Sequence, residues 1–212
     1  DYNFFNPLIF KNDFRDLKKE LKIDPDKKII CYCGSVGGVY LLEKMIIFFK
    51  KLKNYNNNYV FLIITNNQEE ALKKVNQVHD NNIRNSIIVK KINRNLVPLY
   101  LSIVDLMIIF INNTFARQAS SPTKLAEAFA MGIPVIVNKG VGDMDEIIKN
   151  FSAGQSIELT SNNNIQNTIE NIEKLKILGG LELRNKTRDN FGLEYAEKNY
   201  LNIYKFLQQK RV

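Results

Sequence analysis

Apolar runs of strand length alternate along the chain with longer stretches in which apolar residues recur every three or four positions. The short continuous runs read as strands buried on both faces, and the amphipathic stretches as helices that cover them. The pattern predicts strands over residues 27–33 ("KKIICYC"), 59–65 ("YVFLIIT"), 86–92 ("SIIVKKI"), 104–111 ("VDLMIIFI"), 133–138 ("IPVIVN") and 155–159. Helices are predicted over 40–52, 68–78 and 96–102, from Ser121, from about Asp143, and over 165–178, where Gly179 and Gly180 end the run. A last helical region covers 181–191 and 194–210. Six strands joined by helical crossovers specify an α/β fold, a doubly wound, Rossmann-like parallel sheet with helices on both faces. Such sheets bind ligands outside the carboxyl ends of their strands, which directs attention to the loops after Cys33, Ile92, Ile111 and Asn138.

With 212 residues, 45% of them hydrophobic, the chain can bury one substantial core. It has no apolar run of membrane-spanning length, and its first residues lack the basic-then-apolar order of a signal peptide. A soluble, cytoplasmic protein is expected. The net charge of +8 raises the prospect of a polyanionic partner. The lysines are scattered among Asn and Ile, however, with no stripe of Arg and aromatics, so no nucleic-acid partner is expected. Cys31 and Cys33 are the only cysteines and read as buried, reduced thiols on one strand face; His79 reads as a solvated surface residue. No nucleophilic triad and no metal-ligand cluster can be assembled from these types, and no metal or other cofactor is expected.

The candidate chemistry lies in "SSPTKLAEAFAMGIPVIVNKGVGD", residues 120–143. Ser121 and Pro122 form a helix opening, a capping hydroxyl followed by the proline of the first helical position. Where a capping box would place Glu or Gln there is Lys124, a cation facing the positive end of the helix dipole. Glu127 shares its face three residues on, while Leu125, Ala128 and Phe129 turn toward the sheet. An ammonium and free amides at a helix start suit a diphosphate, and a carboxylate one turn along suits two adjacent hydroxyls of a ribose. The bland alternative is an i,i+3 ion pair on a solvated helix. The turn "GSVGGVY", residues 34–40, is glycine-rich between a strand and a helix, but it has neither the dinucleotide fingerprint nor the Lys-Ser/Thr of a P-loop.

These segments, with "NRNLVPLYLSIVDLMI" and the closing "EYAEKNYLNIYKFL", resemble the donor-site half of the retaining glycosyltransferases called glycosyl transferases group one, which have the GT-B fold. The resemblance runs from about Lys27 to the end. It implies that Glu127 binds the ribose hydroxyls, that Lys124 supplies charge at the phosphates, and that both belong to the catalytic set. It further implies that Gly34, Ser35, Gly37 and Gly38 approach the phosphates, and that the turn from Lys91 to Arg94, with Leu96 and Val97, holds the base. Ser120, Ser121, Thr123 and Leu125 would line phosphates and ribose. Two positions depart from the family pattern: Ala119 stands where the first glutamate of a pair is expected, and Ser35 where an arginine is common.

The resemblance also implies the domain plan: residues 1–26 a lead-in or interdomain segment, 27–193 the nucleotide-sugar-binding domain, and 194–212 a crossover helix with an exposed apolar face. The expected partners are a UDP- or GDP-type sugar nucleotide and a missing amino-terminal, acceptor-binding domain, so the chain reads as a fragment that transfers little alone. A role in glycan or surface polysaccharide synthesis is expected, and peripheral association of the full protein with the inner membrane face is left open. Three rivals stay in view. A sugar-nucleotide epimerase shares the fold but needs carboxylates and a histidine not offered here. A nicotinamide-dependent dehydrogenase needs an acidic residue where Thr65 and Asn66 stand. The third is a degenerate module that only binds nucleotide or scaffolds a partner.

Overall fold

The computed structural model describes residues 1–10, 14–119, 121 and 123–209; the sequence readings at Ser120, Pro122 and position 210 lie outside these. A 3₁₀ turn at Pro7–Phe10 and α1 (Phe14–Glu20) lead into β1 (Lys28–Cys33). Then follow α2 (Leu42–Tyr55), β2 (Tyr59–Ile64), α3 (Gln68–Asn76), α4 (Asn81–Asn85) and β3 (Ile87–Lys90). The second half comprises α5 (Val97–Leu101), β4 (Leu106–Ile109), α6 (Thr123–Ala130), β5 (Val135–Asn138), α7 (Met144–Phe151) and β6 (Gly154–Ile157). It closes with α8 (Asn162–Glu170), α9 (Ile172–Ile177), α10 (Leu181–Phe191) and α11 (Leu193–Gln209).

The six strands form one sheet in the order β3-β2-β1-β4-β5-β6, every pair parallel. Every residue of β2 is buried, as a strand covered on both faces requires. The two-residue side-chain period divides the core into two layers. Ile29, Cys31, Leu62, Met107 and Val135 face α1, α5, α6, α7 and α10, whereas Ile30, Tyr32, Phe61, Ile108 and Ile136 face α2, α3, α4, α8 and α9. Tyr2 and Phe5 join the first layer, at 3% and 2% exposure, so the first residues of the chain are packed into the domain.

The single helix expected over 165–178 is two. The Asn171 side chain donates back to the Asn167 carbonyl at 2.8 Å, offering the backbone a partner that competes with helix continuation. The helix also starts earlier than its apolar period suggests, because Ser161 Oγ accepts the Asn164 N–H at 3.2 Å. α4 was hidden by its polarity; its signal is Asp80, whose carboxylate caps the Asn82 and Ile83 amides at 2.9 and 3.2 Å. No helix among the described residues is long and apolar enough to cross a membrane. Helix α11 buries none of its residues, and Leu193, Tyr200, Ile203, Tyr204 and Leu207 are each more than half exposed.

Candidate functional site

Strand order reverses at β1, whose neighbours are β2 and β4. The loops leaving the carboxyl ends of β1, β2 and β3 meet the first turns of α6 around a cleft of about 460 Å³. Its walls are Cys33 at the end of β1 with Gly34 and Ser35 after it, Ile64 at the end of β2 with Thr65 and Asn66 after it, and Ile92, Asn93, Arg94 and Val97 after β3; Thr123, Lys124 and Glu127 come from α6.

Lys124 and Glu127 do not pair with each other. Glu127 Oε1 accepts from Arg94 Nη2 at 2.6 Å, and its side chain is only 16% exposed. The carboxylate's hydrogen bond holds the Arg94 guanidinium more firmly protonated than usual. Lys124 Nζ donates to Tyr40 Oη at 2.7 Å and lies 4.1 Å from the centre of that ring. An ammonium has three N–H donors, so two remain for an anion in the cleft. Among the described residues no carboxylate forms an ion pair with Lys124. Two cations and one carboxylate leave the cleft with a positive balance beside the amides at the start of α6.

The lysine reaches this place because position 34 has no side chain. A Cβ on Gly34 would lie 2.2 Å from Lys124 Cε and 2.9 Å from Tyr32 Oη. Tyr32 Oη in turn donates to the Ser35 carbonyl at 2.5 Å, and the Val36 N–H donates to Asn67 Oδ1 at 3.2 Å, which fixes the turn. Gly37 and Gly38 have φ of +83° and +63°, backbone that favours glycine, and they fold the loop back so that Tyr40 comes to face Lys124. We expect Gly34→Ala to dislodge Lys124 and weaken anion binding at least tenfold, and also to lower the melting temperature, since φ at this position is +159° and the new methyl would crowd the hydroxyl of the buried Tyr32 as well as the lysine; titration and melting of one preparation check both. Burial pushes the Cys33 thiol up to about 11, with the Glu127 charge acting in the same sense, so it stands protonated at neutral pH.

Of the residues singled out from sequence, the fold gathers Gly34, Ser35, Arg94, Val97, Thr123, Lys124 and Glu127 around one cleft. Lys91 lines a neighbouring depression with Asn66, Glu70 and Lys73, and Gly37 turns toward Glu70 instead of the cleft. Gly38 and Leu96 are not among the cleft-lining residues, and Ser121 is exposed beside α6. Leu125 turns into the core, 1% exposed, as its place on the sheet-facing side of the helix requires, so it can offer the cleft only backbone. Tyr40, Thr65 and Asn66 were not singled out as site residues; an aromatic closing a glycine turn was the available signal for Tyr40. Buried Asn138 ties the ends of β4 and β5 together, accepting from the Ile111 N–H at 2.7 Å and donating to its carbonyl at 2.9 Å.

Residues 13–192 match the family described as Glycosyl transferases group 1. No curated protein matches the sequence. Among solved structures, a glycosyltransferase from Rickettsia africae superposes with a TM-score of 0.72 at 18% identity, over 98% of this chain and 55% of that one. An Anabaena protein, HepE, solved in complex with UDP and glucose, gives 0.65 at 14% identity, over 97% and 54%. The C-terminal domain of a glycosyl transferase group 1 family protein from Francisella tularensis gives 0.55 at 18% identity, over 92% and 97%. The chain thus spans about half the length of the Rickettsia and Anabaena proteins.

Proposed function

This chain belongs to the glycosyl transferases group 1 family, its sheet forming the C-terminal, Rossmann-like half of a GT-B fold, and from that premise we propose that it is the donor-binding half of an enzyme that moves a sugar from a nucleoside-diphosphate sugar to an acceptor. The observation that carries the reading is Lys124, a cation in the first turn of α6 without a carboxylate partner among the described residues, facing a cleft at the strand-order reversal.

In this proposal the diphosphate lies against Lys124 and the amides of the first turn of α6, with Gly34 allowing close approach. Glu127 accepts the ribose hydroxyls, and the base lies between Thr65, Asn66 and the turn from Ile92 to Arg94. As the anomeric carbon's bond to the diphosphate breaks, charge develops on the leaving oxygens, where Lys124 and the amides stabilise it without a metal ion. The new bond forms to an acceptor hydroxyl oxygen, whose proton passes to an oxygen of the departing diphosphate. Net retention at the anomeric carbon, an acceptor supplied by a separate amino-terminal domain, a cytoplasmic setting and a part in glycan synthesis belong to the same proposal. The Anabaena relative, solved with UDP and glucose, supports a UDP-type donor over a GDP-type one.

A second reading is favoured by Ala119 and Ser35, which replace a carboxylate and a cation of the family pattern: a half that still binds nucleotide but supports no transfer. Thermal-shift titration with UDP, GDP and their sugar conjugates tests the binding claim. UDP is expected to raise the melting temperature, undiminished by EDTA; no shift with any nucleotide contradicts it. Sugar-nucleotide turnover by the longer parent chain separates an enzyme from the degenerate module.

A further inference from the structure

We propose that residues 1–5 are a working part of the nucleotide site: Phe5 is a positioning residue that backs the Arg94 guanidinium and through it holds the Glu127 carboxylate. The inference rests on the donor-site reading above and adds to it a component from the opposite end of the chain.

Arg94 is a long side chain that is 60% exposed, and left free it would sample many rotamers. It is instead held from two sides. Glu127 Oε1 takes Nη2 at 2.6 Å, while Cζ lies 5.0 Å from the centre of the Phe5 ring and 5.9 Å from that of Phe4. These separations are those of a cation over an aromatic face. The two rings meet edge to face at 5.0 Å, so Phe4 braces Phe5.

Phe5 is itself fixed. Arg184 of α10, 7% exposed, donates Nη1 to the Phe5 carbonyl at 2.5 Å and to the Ala130 carbonyl at the end of α6, and Nη2 to the Tyr2 carbonyl. Tyr2 Oη donates to Thr187 Oγ1 at 2.9 Å. One buried guanidinium therefore fastens the amino-terminal segment to the far end of the helix whose first turns carry Lys124 and Glu127. Ordering runs from Arg184 to Phe5, from Phe5 to Arg94, and from Arg94 to Glu127 Oε1. Glu127 Oε2, which has no hydrogen-bond partner among the described residues, is left to face a hydroxyl.

The test is UDP binding by calorimetry to the 212-residue chain and its variants. Phe5→Leu, which keeps an apolar filler, is expected to weaken UDP about three- to tenfold, and to add nothing in an Arg94→Gln background. In the ligand-free protein, the Arg94 Hε resonance is expected upfield of free arginine and to lose that displacement in Phe5→Leu. If Phe5→Leu is silent, or costs as much in the Arg94→Gln background as alone, while Glu127→Gln still weakens UDP, the positioning role is wrong and the donor site stands. If the unaltered chain binds neither UDP nor GDP, both fall together.

Discussion

Lys124→Ala is expected to weaken nucleoside-diphosphate binding by about 1.5–3 kcal/mol, the range for a hydrogen bond to a charged group, which is roughly 10- to 150-fold in the dissociation constant. The expectation follows from what Lys124 lacks. Its one fixed contact is neutral, the Tyr40 hydroxyl, so its charge is not consumed inside the protein and two of its N–H donors face the cleft. In the unliganded state a cation in the first turn of a helix is weakly unfavourable. Removing it should leave the melting temperature of the free protein unchanged or slightly raised. Calorimetric titration with UDP, alongside thermal melting without nucleotide, checks both halves. The base and ribose contacts survive the substitution, so plain uridine should bind the variant nearly as well as it binds the parent; a uridine loss as large as the UDP loss would place Lys124 away from the phosphates.

Arg184→Met should produce the largest loss of stability of any single change discussed. Methionine fills a similar apolar volume but has no donors, and it would leave the carbonyls of Tyr2, Phe5 and Ala130 without the guanidinium that all three share in a buried setting. At roughly 1–3 kcal/mol for each unsatisfied group, the cost is about 3 kcal/mol or more. For a chain of this size that lowers the melting temperature by about 6–12 °C. The guanidinium also ends α6 favourably, because a cation beside the last carbonyls of a helix is stabilised by its dipole. Denaturant melts of the two proteins, compared at equal slope, measure the loss. A change under 1 kcal/mol would mean that these carbonyls find water or other partners.

How much of this was legible in the sequence depends on whether a residue's partner is near it in the chain. The strands were legible because parallel strands covered on both faces are continuous apolar runs; "YVFLIIT" could hardly be anything else. Helix α6 was legible for its punctuation and for the oddity of Lys124. Contacts over long separations were not. Nothing local to "NFF" or to "LELRNKT" indicates that Phe5 lies against Arg94 or that Arg184 gathers three carbonyls, because those meetings are made by the sheet order. The i,i+3 relation between Lys124 and Glu127 suggested a pair, yet Arg94, 33 positions from Glu127, takes the carboxylate. Tyr40 was invisible as a site residue for the same reason, since its partner is 84 positions away. Leu125 shows the converse: adjacent in sequence to Lys124, it points into the core, as the helical period requires.

The central claim is that a pyrophosphate group rests where α6 begins. A crystal structure of this chain grown with UDP tests it most directly. The account predicts phosphate oxygens within hydrogen-bond distance of Lys124 Nζ and of backbone amides in the first turn, with a ribose hydroxyl on the Glu127 carboxylate. UDP bound elsewhere on the surface, with Lys124 still engaged only by Tyr40, would contradict it.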